Sequence, residues 1–323
     1  MVKAIVIHKT GGPDVMSYED VDLPPPGPGQ VRIKQHAIGV NYIDIYIRSG
    51  MYPNQTPFTL GNEGAGEVTQ LGEGVKDFKV GDRVAYAGAL GGYAEERNIG
   101  TALLVNLPES ISYETAAAMM LKGLTTQYLL RRTYKVKSGD TILFHAAAGG
   151  VGLIACQWAK ALGATVIGTV GSKDKGKLAS EAGAHHIIYY RDEDFAARVK
   201  EITKGALCEV VYDGVGKTTF PASLDCLKPF GYFVSFGSSS GAIDAFNINV
   251  LAAKGSLYAT RPTMNTHVAK RDVLEEMARD LFDVVSSGKV KIPVHNRYKL
   301  SEARKALEAL EGRETTGATV LVP

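Results

Sequence analysis

The residues Ala146 to Gly152 read AAAGGVG, and from Ala147 they fit A-x-G-x-x-G. That is one residue from the glycine fingerprint of dinucleotide-binding turns. The flanks have the right character. TILFHAA before it reads as a strand, GVGLIACQWAKALG after it as a helix, and TVIGTV as the next strand. In such a context Gly149 lets the backbone come close to a pyrophosphate, and Gly152 lets the helix pack tightly on the strand. The amide N–H groups at the helix start then face the anion. Ala147 keeps a small side chain but gives up backbone angles open only to glycine.

The second strand decides which dinucleotide. NAD-binding turns usually carry an acidic residue there, to bond the ribose 2′-hydroxyl. Here TVIGTV runs into Gly171-Ser172-Lys173, with no acid at the tip. A carboxylate would repel a 2′-phosphate, whereas Ser172, Lys173 and Lys175 favour one. Asp174 weighs slightly the other way, and lysines also suit a solvated helix start. The balance predicts NADPH.

The rest of the chain must carry this turn. Strand and helix patterns alternate from about residue 126: TILFHAA, TVIGTV, HHIIYY, EVVYDGV, GYFVSFG and SLYATR as strands, with helices between them, including DKGKLASEAG, DFAARVKEITKG and KTTFPASLDCLKP. This is the pattern of an α/β, doubly wound parallel sheet. Before it, AIVI, VRIKQHAIGV, GAGEVTQLG and DRVAYA are short strands among glycine- and proline-rich turns, predicting a mainly β domain. After about 262, VLEEMARDLFDVVSSG and SEARKALEALEG read as helices, the latter with Ser301 as N-cap and Gly312 near its end, and GATVLVP as a last strand. The tail is too short to stand alone and is expected to return to the first domain. The domains expected are therefore 1–125 with 262–323, and 126–261.

Composition narrows the class. The chain has 323 residues, 45% of them hydrophobic and 22% charged, with a formal net charge of +2. The basic residues are scattered, which excludes nucleic acid as a primary partner. No apolar run reaches the ~18 residues of a membrane span. Three cysteines, Cys156, Cys208 and Cys226, give no disulfide framework, and a reducing, cytoplasmic compartment is expected.

Several segments carry a resemblance to a known family: AIGVNYIDIYIRSGMYP, GNEGAGEV, GVKDFKVGDRVAY, AAAMMLKGLTTQYLL, HAAAGGVGLIACQWAKALGA and VSFGSSSG. In order and spacing the chain resembles the medium-chain dehydrogenase/reductase superfamily over nearly its whole length, and within it the quinone oxidoreductases related to zeta-crystallin. The resemblance implies a GroES-like catalytic domain, a Rossmann domain, a cleft between them and a homodimer. The superfamily's zinc alcohol dehydrogenases carry metal ligands where this chain has Asn41, Asn62 and, nearby, Lys122. These are poor zinc ligands, and without a metal no bound alcohol has its pKa lowered for oxidation. The expectation is a zinc-independent enzyme that passes hydride from NADPH to an acceptor already electrophilic, a quinone.

By the same resemblance Asn41, Asp44, Tyr46, Arg48 and Tyr52 line the catalytic region. Asn41 and Tyr46 are expected to bond the acceptor oxygen or the nicotinamide amide, and Tyr52 to shape the mouth. Asp44 and Arg48 have the spacing of a helical pair. Glu63 reads as a core carboxylate. Gly149, Gly150, Val151 and Gly152 would hold the pyrophosphate. Gly171, Ser172, Lys175, Tyr190 and Arg313 fall at the adenosine and 2′-phosphate. Thr125, Tyr128, Phe236, Gly237 and Ser238 border the nicotinamide, while His145 reads as packed. An alkenal or enone reductase uses the same hydride but must also protonate carbon. A crystallin-like or RNA-binding protein would need neither the glycine turn nor the basic residues beside it.

Overall fold

The computed structural model describes residues 1–323. They form two units: Met1–Leu124 with Val268–Ser286 and Ile292–Pro323, and Thr125–His267 with Ser287–Lys291.

The first part of the chain makes β1 (Val2–Ile7), β2 (Met16–Val21), β3 (Gln30–Val40), helix α1 (Tyr42–Arg48), β4 (Phe58–Thr59), β5 (Glu63–Leu71), β6 (Arg83–Ala87), β7 (Glu96–Gly100), β8 (Leu104–Asn106) and helix α2 (Tyr113–Tyr128). Strand β3 shows why the sequence folds this way. Val31, Ile33, Gln35 and Ala37 are buried while Lys34 and His36 are exposed, the period-2 pattern of a half-buried strand. It pairs antiparallel with β5 along one edge and with β7 along the other. A separate small sheet has the order β2-β1-β4.

The second unit alternates β9 (Thr141–Phe144), α3 (Gly150–Ala161), β10 (Thr165–Val170), α4 (Lys173–Glu181), β11 (His186–Tyr189), α5 (Phe195–Ile202), β12 (Cys208–Asp213), β13 (Leu227–Ser235), α6 (Asn249–Ala253), β14 (Tyr258–Thr260) and α7 (Met264–His267). The sheet order is β11-β10-β9-β12-β13-β14, and every pair is parallel. The strand order reverses between β9 and β12, which opens a crevice at the carboxyl ends of these strands. Leu143, Ile167, Ile188, Val211 and Phe233 are buried in one core cluster, as expected of strands covered on both faces.

The tail adds α8 (Arg271–Ser286), β15 (Val294–Lys299), α9 (Ala303–Glu311) and β16 (Ala318–Val322). Strand β16 pairs with Ile38–Val40 of β3, so the tail extends the large sheet of the first unit. Leu300, Ala303, Ala306, Leu307 and Leu321 join Ile5, Ile38 and Ile45 in its core.

Two local expectations are corrected. KTTFPASLDCLKP is not an α-helix: Lys217–Pro221 make hydrogen-bonded turns, and the helical part is the 3₁₀ segment Ala222–Cys226. Pro221 in its middle has no N–H to give and crowds the preceding turn. Ser301 is not an N-cap either. It lies inside the 3₁₀ turn Leu300–Glu302, and α9 starts from Glu302. Gly312 does cap its other end.

Candidate active site

In the first unit a buried polar cluster gathers at the start of α1, the start of β5 and the middle of α2. Asn41 precedes α1, and its backbone N–H donates to Asp44 Oδ2 over 2.8 Å, tying off the first turn. The Asn41 side chain is used at both ends. Nδ2 donates to Glu63 Oε2 over 2.7 Å, and Oδ1 accepts from Lys122 Nζ over 2.6 Å. Glu63 is fully buried; its other oxygen accepts from the Leu121 N–H over 2.7 Å, and Lys122 Nζ stands 3.3 Å from Oε2. The expected core role of Glu63 is what this geometry describes.

Asp44 is also fully buried. Besides Asn41 it accepts from Asn62 Nδ2 over 2.9 Å and from the Tyr93 hydroxyl over 2.9 Å. Burial pushes its carboxyl up to about 6, against the pull of these three donors and of Lys122. The Tyr93 hydroxyl is pushed well up, by burial first and then by the carboxylate beside it.

Asp44 and Arg48 share α1 but do not pair with each other. Arg48 donates to the Gly11 carbonyl over 3.2 Å and to Glu311 Oε2 over 3.0 Å. Each is held by partners from elsewhere in the chain, so the four-residue spacing makes no mutual ion pair. Tyr46 and Tyr52 come together, with ring centroids 5.3 Å apart, and Tyr42 continues the row at 6.1 Å from Tyr46. Tyr42 was not picked out from the sequence, although its four-residue spacing to Tyr46 is the available signal. Arg313, in this same unit, bonds the Tyr42 hydroxyl; burial nevertheless raises the Tyr42 pKa.

A zinc ion does not fit the three positions that match the metal ligands of the alcohol dehydrogenases. Lys122 offers an ammonium that donates rather than ligates, Asn41 is bonded to it, and Asn62 is bonded to Asp44.

The glycine turn lies in the second unit. The strand ends at Phe144, earlier than TILFHAA suggests, because Ala146 takes a left-handed conformation, φ 54°. Gly149 is the N-cap of α3, and Gly150, Val151 and Gly152 form its first turn, whose N–H groups have no partner within the helix. A Cβ on Gly152 would stand 2.5 Å from the Ala146 carbonyl oxygen, so no side chain fits there. This cradle fits a dinucleotide pyrophosphate, and α3 has no acid in its first turn.

At the end of β10 a Cβ on Gly171 would stand 2.7 Å from the Tyr190 hydroxyl and 3.5 Å from Arg191 Nε. Gly171, Tyr190 and Arg191 therefore converge. Ser172 caps α4 by accepting from the Lys175 N–H over 3.4 Å. Arg191 was missed; its adjacency to Tyr190 at the end of β11 was the available signal. Arg313 lies in the first unit, where it bonds the Tyr42 hydroxyl, and is not among the residues gathered here. Phe236 packs on Phe144, with centroids 5.6 Å apart, and against Gly214. Gly237 lies where a Cβ would meet the Gly214 carbonyl oxygen at 2.5 Å. Thr125 and Tyr128 are buried in the last turn of α2, Tyr128 stacked on His267 at 4.5 Å.

Comparison with known proteins now decides the family. Residues 27–136 match a family model described as "Alcohol dehydrogenase GroES-like domain", and 150–279 one described as "Zinc-binding dehydrogenase". A quinone oxidoreductase of Pseudomonas aeruginosa is 52% identical over the full length of both chains. The chain belongs to the quinone oxidoreductases of the medium-chain dehydrogenase/reductase superfamily. The crystal structure of Escherichia coli quinone oxidoreductase complexed with NADPH is 49% identical, with a TM-score of 0.98 over 99% of this chain and all of that one. A 2-haloacrylate reductase from Burkholderia sp is 44% identical over all of this chain and 99% of its own. The first unit thus has the GroES-like fold and the second the Rossmann fold of this family. No helix is long and apolar enough to cross a membrane.

Proposed function

We propose that this protein is an NADPH:quinone oxidoreductase that works without zinc. The observation that carries the reading is its identity of about half, over the full chain, to quinone oxidoreductases, one of them solved with NADPH. Its own residues support the cofactor: a glycine cradle at the start of α3, no acid at the end of β10, and Tyr190 and Arg191 beside Gly171.

When bound, NADPH supplies a hydride, the equivalent of two electrons and one proton. The amides of Gly150, Val151 and Gly152 hold the pyrophosphate. Ser172, Lys175 and Tyr190 hold the 2′-phosphate, and Thr125, Tyr128, Phe236, Gly237 and Ser238 border the nicotinamide. Tyr46 and Tyr52 present aromatic faces to a planar acceptor. Asn41 gives one amide hydrogen to Glu63 and keeps a second for an acceptor oxygen or the nicotinamide amide. Asp44 and Arg48 serve by fixing α1, which carries Tyr46. A quinone that takes up hydride needs only one further proton, at oxygen, which water supplies; its product is aromatic, so positioning is the main demand on the protein.

The second reading, reduction of an activated alkene, is favoured by the 44% identity to a 2-haloacrylate reductase. It needs a proton delivered to carbon, and Tyr52, partly exposed beside Tyr46, is the group to deliver it.

We further propose a cytoplasmic homodimer. Strand β14 is the outer strand of its sheet and all three of its residues are exposed, an edge that pairing with a second copy would cover. The three cysteines are free and buried, which suits a reducing compartment.

Product analysis tests the activity. NADPH and 1,4-benzoquinone should yield NADP⁺ and hydroquinone in equal amounts; oxidation of NADPH without hydroquinone would overturn the reading.

A further inference from the structure

His145, Thr169, Asp213 and Ser223 are buried side by side at the carboxyl ends of the strands in the second unit. None is needed to hold the cofactor in the reading above. His145 follows β9, Thr169 is in β10, Asp213 ends β12 and Ser223 sits in the 3₁₀ turn. His145 Nδ1 is 3.0 Å from Thr169 Oγ1, and Nε2 is 3.0 Å from Ser223 Oγ. Ser223 Oγ donates to Asp213 Oδ2 over 3.1 Å and has the Thr219 carbonyl 3.0 Å away.

Counting protons fixes the direction of this chain. Ser223 has one hydroxyl hydrogen, and Asp213 and the Thr219 carbonyl both require it. Ser223 can therefore only accept from the ring, so His145 carries its proton on Nε2. Nδ1 is then bare and accepts from the Thr169 hydroxyl. Burial favours this neutral ring by lowering its pKa. Phe195 closes the site, edge-on at 4.9 Å from the ring.

The two ends of the chain hold two glycine turns. At one end, the backbone N–H of His145 donates to the Tyr212 carbonyl over 3.0 Å and that of Ala147 to the Thr169 carbonyl over 3.1 Å. Those bonds bracket Ala146, the left-handed residue that opens the turn at Gly149–Gly152. At the other end, Asp213 Oδ1 accepts the N–H groups of Val215 and Gly216 over 2.8 and 2.9 Å. That turn is locked in turn to the Gly237–Gly241 loop, since a Cβ on Gly216 would meet the Gly241 carbonyl at 2.6 Å.

We propose that the Thr169–His145–Ser223–Asp213 chain is a positioning device. It sets the pyrophosphate turn against the Gly214–Gly216 turn, so that affinity for the dinucleotide depends on His145 and Ser223 although neither touches it. The inference rests on the NADPH reading above.

Fluorescence titration with NADPH tests it on Thr169→Val, which keeps shape and loses the hydroxyl, and on Ser223→Ala. Each should raise the dissociation constant about fivefold or more, with the loss falling on KM for NADPH more than on kcat. The double variant should be little worse than either single one, because one break already uncouples the turns. Ser223→Thr, which restores a hydroxyl, should recover most of the affinity. Circular dichroism and melting curves establish that each variant is folded at the assay temperature. Folded variants with a lower melting point but wild-type affinity would overturn the inference and leave the functional reading intact. Wild-type protein that bound no NADPH would overturn both.

Discussion

Lys122 Nζ donates to Asn41 Oδ1 over 2.6 Å, and the same ammonium lies 3.3 Å from the buried carboxylate of Glu63. Asn41 closes the triangle by donating to that carboxylate over 2.7 Å. One cation, one anion and one amide thus hold one another in the buried cluster, and they fix which way the Asn41 amide faces.

Removing the cation takes the ion-pair partner from a fully buried carboxyl and leaves it the Asn41 amide and the Leu121 N–H. Lys122→Met is expected to cost about 3 kcal/mol or more of stability, read from denaturant melts. The pair Lys122→Met with Glu63→Gln is expected to recover part of that loss, since no charge is then stranded. Equal losses in the single and double variants would show that the ion pair does not couple these residues.

Asp44 gives a pH signature. Burial raises its carboxyl from the ordinary 3.8 to about 6 when folded, so the folded state holds its proton more tightly. Its contribution to stability is therefore full below pH 3.8 and is lost as pH rises through about 6. Above that, the folded protein carries a buried carboxylate that depends on Asn41, Asn62 and Tyr93. Tyr93→Phe removes one donor. The variant should lose about 1.5 to 3 kcal/mol at pH 8 and less at pH 5, where a neutral carboxyl needs the bond less. The same deficit at both values would contradict an ionised Asp44 at neutral pH.

Coenzyme choice is the third prediction. NADPH should bind at least about ten times more tightly than NADH, a difference of roughly 1.4 kcal/mol. Lys175→Ala should weaken NADPH by about 1 kcal/mol or more and leave NADH nearly unchanged. Arg191→Ala is expected to act in the same direction, because its Nε lies beside Gly171. Equal affinities in the wild type would remove the argument from the missing acid.

The exposed edge at β14 predicts a two-fold dimer. Tyr258→Lys sets like charges facing each other across such an axis and should release monomers, seen by light scattering at micromolar concentration. An unchanged dimer would place the contact elsewhere.

The Rossmann half was legible because its signals are local. TVIGTV is β10 residue for residue, and the glycines that open α3 announce themselves within seven positions. The cluster around Asn41 was only partly legible. Its members lie 22 and 81 residues apart along the chain, and nothing local says that Lys122 reaches Asn41. Asp44 and Arg48 illustrate the same limit: their spacing suggested a pair, and tertiary neighbours outbid it. KTTFPASLDCLKP, placed as a helix by its position between two strands, departs from one for a local reason, Pro221 in its middle.

The most direct test of the central claim is a steady-state comparison of acceptors with both coenzymes. Purified protein is assayed with 1,4-benzoquinone, 9,10-phenanthrenequinone, 2-cyclohexenone and 2-chloroacrylate, each with NADPH and with NADH. The account predicts that kcat/KM is highest for a quinone with NADPH, and exceeds that of either alkene by about tenfold or more. Faster turnover of an alkene than of either quinone would contradict it.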